Sequence, residues 1–290
     1  MAEIEGTVSW RALWAETAGL VGDRNVARWI CEAASGVDGA EFLSELDQPA
    51  TERMVHHLDA MVARVCAGEP VQYVVGRWAF RHLEVMVDRR VLIPRPETEL
   101  IVDHAIDAMR ERPRPLRMVD LGTGSGVIGL ALATELWHDQ LEMWLTDASP
   151  DALDVARANC AGAGRAAANV RVVHGSWFEA LPTDLVGSFD LVISNPPYIG
   201  DGDPALSPIV RDWEPASALY ATDDGLGHLA TIVAEAGGWL APGGTLLVEM
   251  GTGQGDAVTA MLREASYVDV AIHLDLAGHT RFAQAKRAAT

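Results

Sequence analysis

Residues 116–132 read LRMVDLGTGSGVIGLAL, an apolar run that passes through three alternate glycines into a second apolar run. Leu116 to Leu121 has the length and composition of a strand covered on both faces, and Val127 to Leu132 continues as an apolar helix. Between them Gly122, Gly124 and Gly126, spaced by Thr123 and Ser125, let the backbone turn sharply and approach a ligand closely, while the helix that follows presents free N–H groups. The spacing is GxGxG and not the GxGxxG of dinucleotide enzymes, and the Lys-Ser/Thr pair of a phosphate-binding loop is missing. A reader of pyrophosphate is therefore disfavoured.

The same alternation continues downstream. Leu141 to Thr146, Val170 to Val173, Phe189 to Ile193 and Thr245 to Glu249 are further continuous apolar runs, and continuous runs imply a sheet with helices over both faces. This predicts a doubly wound α/β domain. Val268 to Leu274 and Arg281 to Lys286, parted by Ala277-Gly278, predict a closing hairpin. Upstream, Pro94 and Pro96 stop an extended chain, and Glu97 and Glu99 fall in the first turn of a helix in which Ile101, Ala105 and Met109 recur every fourth residue. Trp78 to Ile93 alternates in short runs, as a hairpin does. From Trp10 to Cys66 the spacings are helical, with Trp10, Leu13, Trp14 and Ala18 on one stripe and Met54, Leu58, Met61, Val62 and Val65 on another. The expected division is a helical bundle over 1–76, a hairpin linker over 77–96 and a larger domain over 97–290.

Composition narrows the class. Of the 290 residues 49% are hydrophobic and the glycines follow no period, which excludes a disordered or fibrous chain. No stretch approaches the roughly 18 apolar residues of a membrane span, so a soluble cytoplasmic protein is expected. Cys31, Cys66 and Cys160 are odd in number and stand apart from histidine, indicating neither a disulfide framework nor a metal site. A net charge of −19 works against binding a polyanion, and no direct nucleic-acid contact is expected.

Three loops then carry the chemistry. Asp147 ends the second strand of the larger domain, where an acid commonly holds both ribose hydroxyls; it could otherwise serve a helix start, but Ser149 with Pro150 behind it suits that role. Gly175-Ser176-Trp177-Phe178 offers an aromatic pair on which an adenine could stack, the alternative being a core tryptophan. With the glycine loop these outline a mostly neutral nucleoside cofactor, and S-adenosylmethionine fits better than a dinucleotide.

The fourth strand runs into Ser194-Asn195-Pro196-Pro197-Tyr198-Ile199. Two prolines fix φ and bring no N–H donors, so the local carbonyls keep their lone pairs free. Asn195 Oδ1 and the Pro196 carbonyl are suited to accept the two hydrogens of an –NH2 group, and Tyr198 to cover a planar group by stacking. A plain structural turn is the other reading.

At this point the chain resembles the HemK/PrmC-type methyltransferases that modify the glutamine of the Gly-Gly-Gln motif in peptide chain release factors. NPPY is shared with amino-methyltransferases of DNA, but Gly68-Glu69-Pro70-Val71-Gln72-Tyr73, Val91 to Glu99, Val210-Arg211-Asp212-Trp213-Glu214-Pro215 and Leu240 to Gly244 look like that family's landmarks. The resemblance implies a seven-stranded, mostly parallel class I S-adenosylmethionine-dependent methyltransferase sheet with a C-terminal antiparallel hairpin. It also implies N5-methylation of the release-factor glutamine, which modulates translation termination, with S-adenosylhomocysteine as product and no metal. By the same resemblance Gly122, Thr123, Gly124, Ser125, Gly126, Asp147, Trp177 and Asn195 contact the cofactor. Asn195, Pro196, Pro197 and Tyr198 hold the glutamine, with Arg95 and Glu97 lining the same cleft, although Glu97 equally suits a helix N-terminus. The helices of 1–76 are expected to grip the substrate protein. Ser176 departs from the pattern, since many members carry an acid there. Glutamine methylation of a ribosomal protein and amino-methylation of adenine or cytosine in nucleic acid are the alternatives.

Overall fold

A computed structural model describes residues 7–136, 140–200, 202 and 206–289; residues 1–6 of the expected bundle and Thr290 lie outside the described residues. The chain forms two compact units, Met1–Arg77 with Pro208–Trp213, and Trp78–Ser207 with Glu214–Thr290.

The first unit holds α1 (Trp10–Val21), α2 (Arg24–Ser35), α3 (Gly39–Ser44), α4 (Glu52–Cys66) and α5 (Val71–Val75). Ser9, Asp23 and Thr51 each accept backbone N–H groups at a helix start, and Gly22 and Gly36 close α1 and α2 in the left-handed conformation. Its core joins Trp10, Leu13, Ile30, Cys31, Phe42, Leu58 and Met61, with Trp10 edge-on to Phe42. Glu69 takes two bonds from the Arg64 guanidinium, which also donates to the carbonyls of Tyr73 and Val74, so the segment from Gly68 to Tyr73 is a structural joint.

The second unit opens on the hairpin of β1 (Arg77–Phe80) and β2 (Leu83–Met86), followed by α6 (Glu99–Met109). By its contacts the hairpin counts with this unit from Trp78 onward. Then come β3 (Leu116–Leu121), α7 (Val127–Glu135), β4 (Leu141–Asp147), α8 (Pro150–Ala163), β5 (Val170–His174) and β6 (Phe189–Ser194). The short α9 (Pro208–Trp213), expected within the larger domain, groups with the helical unit. The chain ends with α10 (Gly227–Trp239), β7 (Leu240–Glu249), α11 (Gly255–Glu264), β8 (Val268–Leu274) and β9 (Thr280–Lys286).

The seven strands lie in the order β5-β4-β3-β6-β7-β9-β8, parallel from β5 to β7 and antiparallel at β7–β9 and β9–β8. The apolar runs of β3 and β6 are buried almost throughout, whereas β5, at the edge, is half-buried. β7 begins earlier than the expected Thr245: Leu240 already pairs with Phe189, and Pro242-Gly243-Gly244 then bulges before Thr245 pairs with Leu191. The breakers that mask this strand in the sequence are its bulge. Among the described residues no helix is long and apolar enough to cross a membrane.

After β5 the chain returns to the other side of β3, making β3/β6 the topological switch point. Such a point opens a crevice at the carboxyl ends of the strands.

Candidate active site

Leu121 pairs with Thr146 on one side and Ser194 on the other, and Ser194 Oγ donates to the Leu121 carbonyl at 2.7 Å. The next residues on the two neighbouring strands are therefore Gly122 and Asn195, so the glycine loop and the proline corner leave the sheet side by side.

The loop is tied from below. Thr123 N–H donates to the Thr146 carbonyl at 2.9 Å, and Asp120 Oδ2 accepts from Thr123 Oγ1 at 2.6 Å and from Gly129 N at 3.1 Å. Asp120 is fully buried and its Oδ1 has no partner among the described residues, so burial pushes its carboxyl up to about 7. Asp147 is placed differently: Oδ2 accepts from Gly124 N and Oδ1 from Ser149 N, both at 2.8 Å, while Ser149 Oγ caps α8. The carboxylate keeps lone pairs toward the open side, and burial raises its pKa.

These loops enclose a cavity of about 520 Å³. Arg95, Gly122, Thr123, Gly124, Ser125, Asp147, Trp177, Asn195 and Pro197 line it, beside Val91, Leu92, Val127, Ile128, Tyr220 and His228. Four expected site residues are off its wall. Gly126 starts α7 at φ +82, close against Ala156; Pro196 is buried; Tyr198 turns its hydroxyl to Glu249; and Glu97 is exposed in the first turn of a short 3-10 helix, Pro96–Thr98. The aromatic pair divides as well, Trp177 facing the cavity and Phe178 stacking on Trp239 in the core.

The corner itself is held at both ends. Asn195 Nδ2 donates to Thr98 Oγ1 at 3.4 Å, and the Tyr198 carbonyl accepts from Gln254 Nε2 at 3.0 Å. Ile199 exchanges backbone bonds with Leu219 and Ala221. Among the described residues no donor engages Asn195 Oδ1 or the Pro196 carbonyl.

Sequence reasoning missed Thr98, Glu249 and His228. Glu249 is 1% exposed and accepts from Thr98 Oγ1 at 2.8 Å and from Tyr198 Oη at 3.2 Å. The one available signal was its place as an acid closing an apolar strand, the position Asp147 also holds. His228, at the start of α10, tilts against Trp177 with ring centroids 5.3 Å apart, and burial lowers its pKa. The structure also explains two of the sequence landmarks: Glu214 is buried, accepts from Ile93 N and pairs with Arg95, which joins the segment around Pro94 to Glu214-Pro215.

Both arginines on the wall are already paired, Arg95 with Glu214 and Arg90 with Asp88. The donor set thus suits a nucleoside whose hydroxyls meet an acid better than a pyrophosphate, which calls for free cations or an open anion nest.

Comparison with known proteins agrees. The PrmC N-terminal domain family matches residues 16–76, and the Methyltransferase small domain family matches residues 98–210. The release factor glutamine methyltransferase of Francisella tularensis subsp. tularensis is 35% identical, over 89% of this chain and 88% of its own. Those of Geobacter sulfurreducens and Bordetella pertussis are 37% and 40% identical, over 92% and 88% of this chain and 90% and 92% of theirs. The chain belongs to the release factor glutamine methyltransferase family. Among solved structures, a methyltransferase from Pyrococcus furiosus superimposes with a TM-score of 0.50 at 17% identity, covering 78% of this chain and 97% of that one. The hMettl16 catalytic domain in complex with MAT2A 3'UTR hairpin 6 gives 0.53 at 16%, covering 71% and 76%. These likenesses concern the fold alone: in this family member it is the class I S-adenosylmethionine-dependent methyltransferase sheet, closed by the β8–β9 hairpin.

Proposed function

We propose that the chain transfers a methyl group from S-adenosylmethionine to the side-chain amide nitrogen of the glutamine in the Gly-Gly-Gln motif of peptide chain release factors. The observation that carries this reading is the unengaged acceptor Asn195 Oδ1 on the cavity wall beside the glycine loop at the switch point, with the equally unengaged Pro196 carbonyl next to it in the chain. S-adenosylmethionine supplies an electrophilic methyl group whose leaving group is a neutral thioether.

The residues of this chain do the positioning. Asp147 accepts the ribose hydroxyls, the backbone of Gly122 to Gly126 shapes the floor, and Trp177 covers the adenine. Asn195 Oδ1 and the Pro196 carbonyl take one amide hydrogen each, a match that rejects groups without two hydrogens because each unpaired buried partner costs about 1–3 kcal/mol. An amide nitrogen is a poor nucleophile because its lone pair is delocalised, and fixing both hydrogens turns that lone pair toward the methyl donor. Orientation of this kind lowers a barrier by roughly 7–11 kcal/mol. The nitrogen gains a methyl and loses one proton; the N-methylated amide cation first formed is acidic enough to lose it without a strong base. Ser176 is exposed and offers no carboxylate for the adenine amino group.

We place the reaction in the cytoplasm, with a release factor as protein partner and the helices of 1–76 as its grip. Incubation with methyl-labelled S-adenosylmethionine and a release factor tests the reading: label on the Gly-Gly-Gln glutamine is the expected result, and its absence overturns the proposal.

A further inference from the structure

Behind the proline corner lies a chain of hydrogen bonds that fixes the direction of one amide. Glu249 closes β7 with both oxygens engaged, Oε2 by Thr98 Oγ1 at 2.8 Å and Oε1 by Tyr198 Oη at 3.2 Å. Thr98 lines the cavity and its oxygen lies 3.4 Å from Asn195 Nδ2. A hydroxyl carries one proton. That of Thr98 is committed to the Glu249 carboxylate, so toward Asn195 the same oxygen can only accept. Only the nitrogen of the Asn195 amide satisfies it; the reverse orientation sets two acceptors face to face. Oδ1 is thereby turned the other way, toward the cavity.

We propose that Glu249, acting through Thr98, is the positioning residue that sets the Asn195 carboxamide with Oδ1, and not Nδ2, presented to the substrate amide. The proposal rests on the reading of Asn195 as an amide acceptor and adds what makes it one. The same carboxylate holds the Tyr198 hydroxyl, so both side chains of the corner take their orientation from one buried acid.

The relay has a direction because the acid is charged. A protonated Glu249 is able to donate to Thr98, whose hydroxyl is then free to turn to Asn195 Oδ1 and reverse the amide. Burial, the largest influence on Glu249, favours the protonated form and pushes its pKa up to about 7, as does Glu97 from the 3-10 turn. Thr98, Tyr198 and Arg281 from β9 favour the charged form. Activity therefore falls on the acid side of neutrality.

The test compares Thr98→Val, Thr98→Ser and Glu249→Gln in the full chain, with a release factor as substrate and S-adenosylhomocysteine binding measured alongside. Thr98→Val is expected to lower kcat by roughly 10- to 100-fold through misplacement of the amide. Thr98→Ser restores the relay and keeps kcat within about threefold, and cofactor affinity in both stays within about threefold of wild type. Glu249→Gln preserves volume while removing the charge; it is expected to lower kcat and to abolish the acid-side fall expected of wild type. Wild-type kcat in Thr98→Val overturns the inference, as does an unaltered acid limb in Glu249→Gln. A parallel loss of kcat and cofactor affinity in Thr98→Val overturns it in favour of a general structural role. A wild type that labels no glutamine overturns the functional reading as well, which separates the two failures.

Discussion

Gly122 and Gly124 occupy one loop, at φ +66 and +55, so alanine at either position costs about 1–2 kcal/mol for placing an L residue in the left-handed region. What a Cβ meets differs. At Gly124 nothing lies within 4 Å, whereas at Gly122 the new atom stands 3.1 Å from Trp177 Cζ3 and 3.6 Å from Cη2. Trp177 has little room to retreat: its own φ is 46, its ring lies against His228, and its neighbour Phe178 is stacked in the core. Forced overpacking of this kind adds about 1–3 kcal/mol. Gly122→Ala is therefore expected to destabilise by about 2–5 kcal/mol against 1–2 for Gly124→Ala. At roughly 2–4 °C per kcal/mol for a unit of this size, the extra loss corresponds to a Tm about 2–12 °C lower. Calorimetry without cofactor measures it, and a double-mutant cycle with Trp177→Ala isolates the contact: in that background Gly122→Ala is expected to fall to the Gly124→Ala value. Equal Tm losses for the two alanines, or no coupling between positions 122 and 177, would refute the reasoning.

Three further outcomes are expected. Asn195→Ala removes one acceptor of the substrate amide and lowers kcat/KM by about 1–3 kcal/mol, roughly 5- to 150-fold, while calorimetric S-adenosylhomocysteine affinity weakens only modestly. Arg95→Met leaves the Glu214 side chain, 1% exposed, as an uncompensated buried charge, a loss of about 3–5 kcal/mol in urea denaturation. The pair Arg95→Met/Glu214→Gln recovers most of that loss, and no recovery would contradict the pairing. Because the folded-state pKa of Glu249 is raised to about 7, the stability it contributes is complete below the ordinary carboxylate range and is lost as pH rises through about 7. Urea midpoints are thus expected to shift in favour of Glu249→Gln over wild type on passing from weakly acid to weakly alkaline pH.

Much of the sheet was legible because buried parallel strands are written as unbroken apolar runs: Leu116 to Leu121 coincides with β3, and Phe189 to Ile193 falls within β6. The start of β7 was not, since Pro242-Gly243-Gly244 reads as a stop and only pairing with β6 shows it to be a bulge. The glycine loop and the proline corner were legible as chemistry because each spells out its own backbone constraint. Their adjacency depends on strand order, which no local spacing records. The division of Trp177 from Phe178 was hidden for a related reason: in a loop, neighbours of like chemistry take opposite sides according to the packing around them. Thr98 and Glu249 stand 151 positions apart, and neither is unusual where it occurs.

Acids at the carboxyl ends of β3, β4 and β7 show how burial, more than residue type, divides the tasks among like groups. Asp120 is fully enclosed with one oxygen unpartnered, and all its polarity is directed inward, to Thr123 and Gly129 of the loop it ties. Asp147 is only partly buried and shares each oxygen with a backbone N–H, which orients the carboxylate and leaves its remaining lone pairs to the cavity. Glu249 is enclosed like Asp120 but carries one more methylene, and its two oxygens accept from residues of two other segments, Thr98 and Tyr198. A carboxylate with a single ligand of each kind imposes direction on both, because its partners must donate. Neutral residues at position 249 would permit either sense, so an ionisable acid in an apolar strand, unfavourable for burial alone, is explained by what it orders beyond itself.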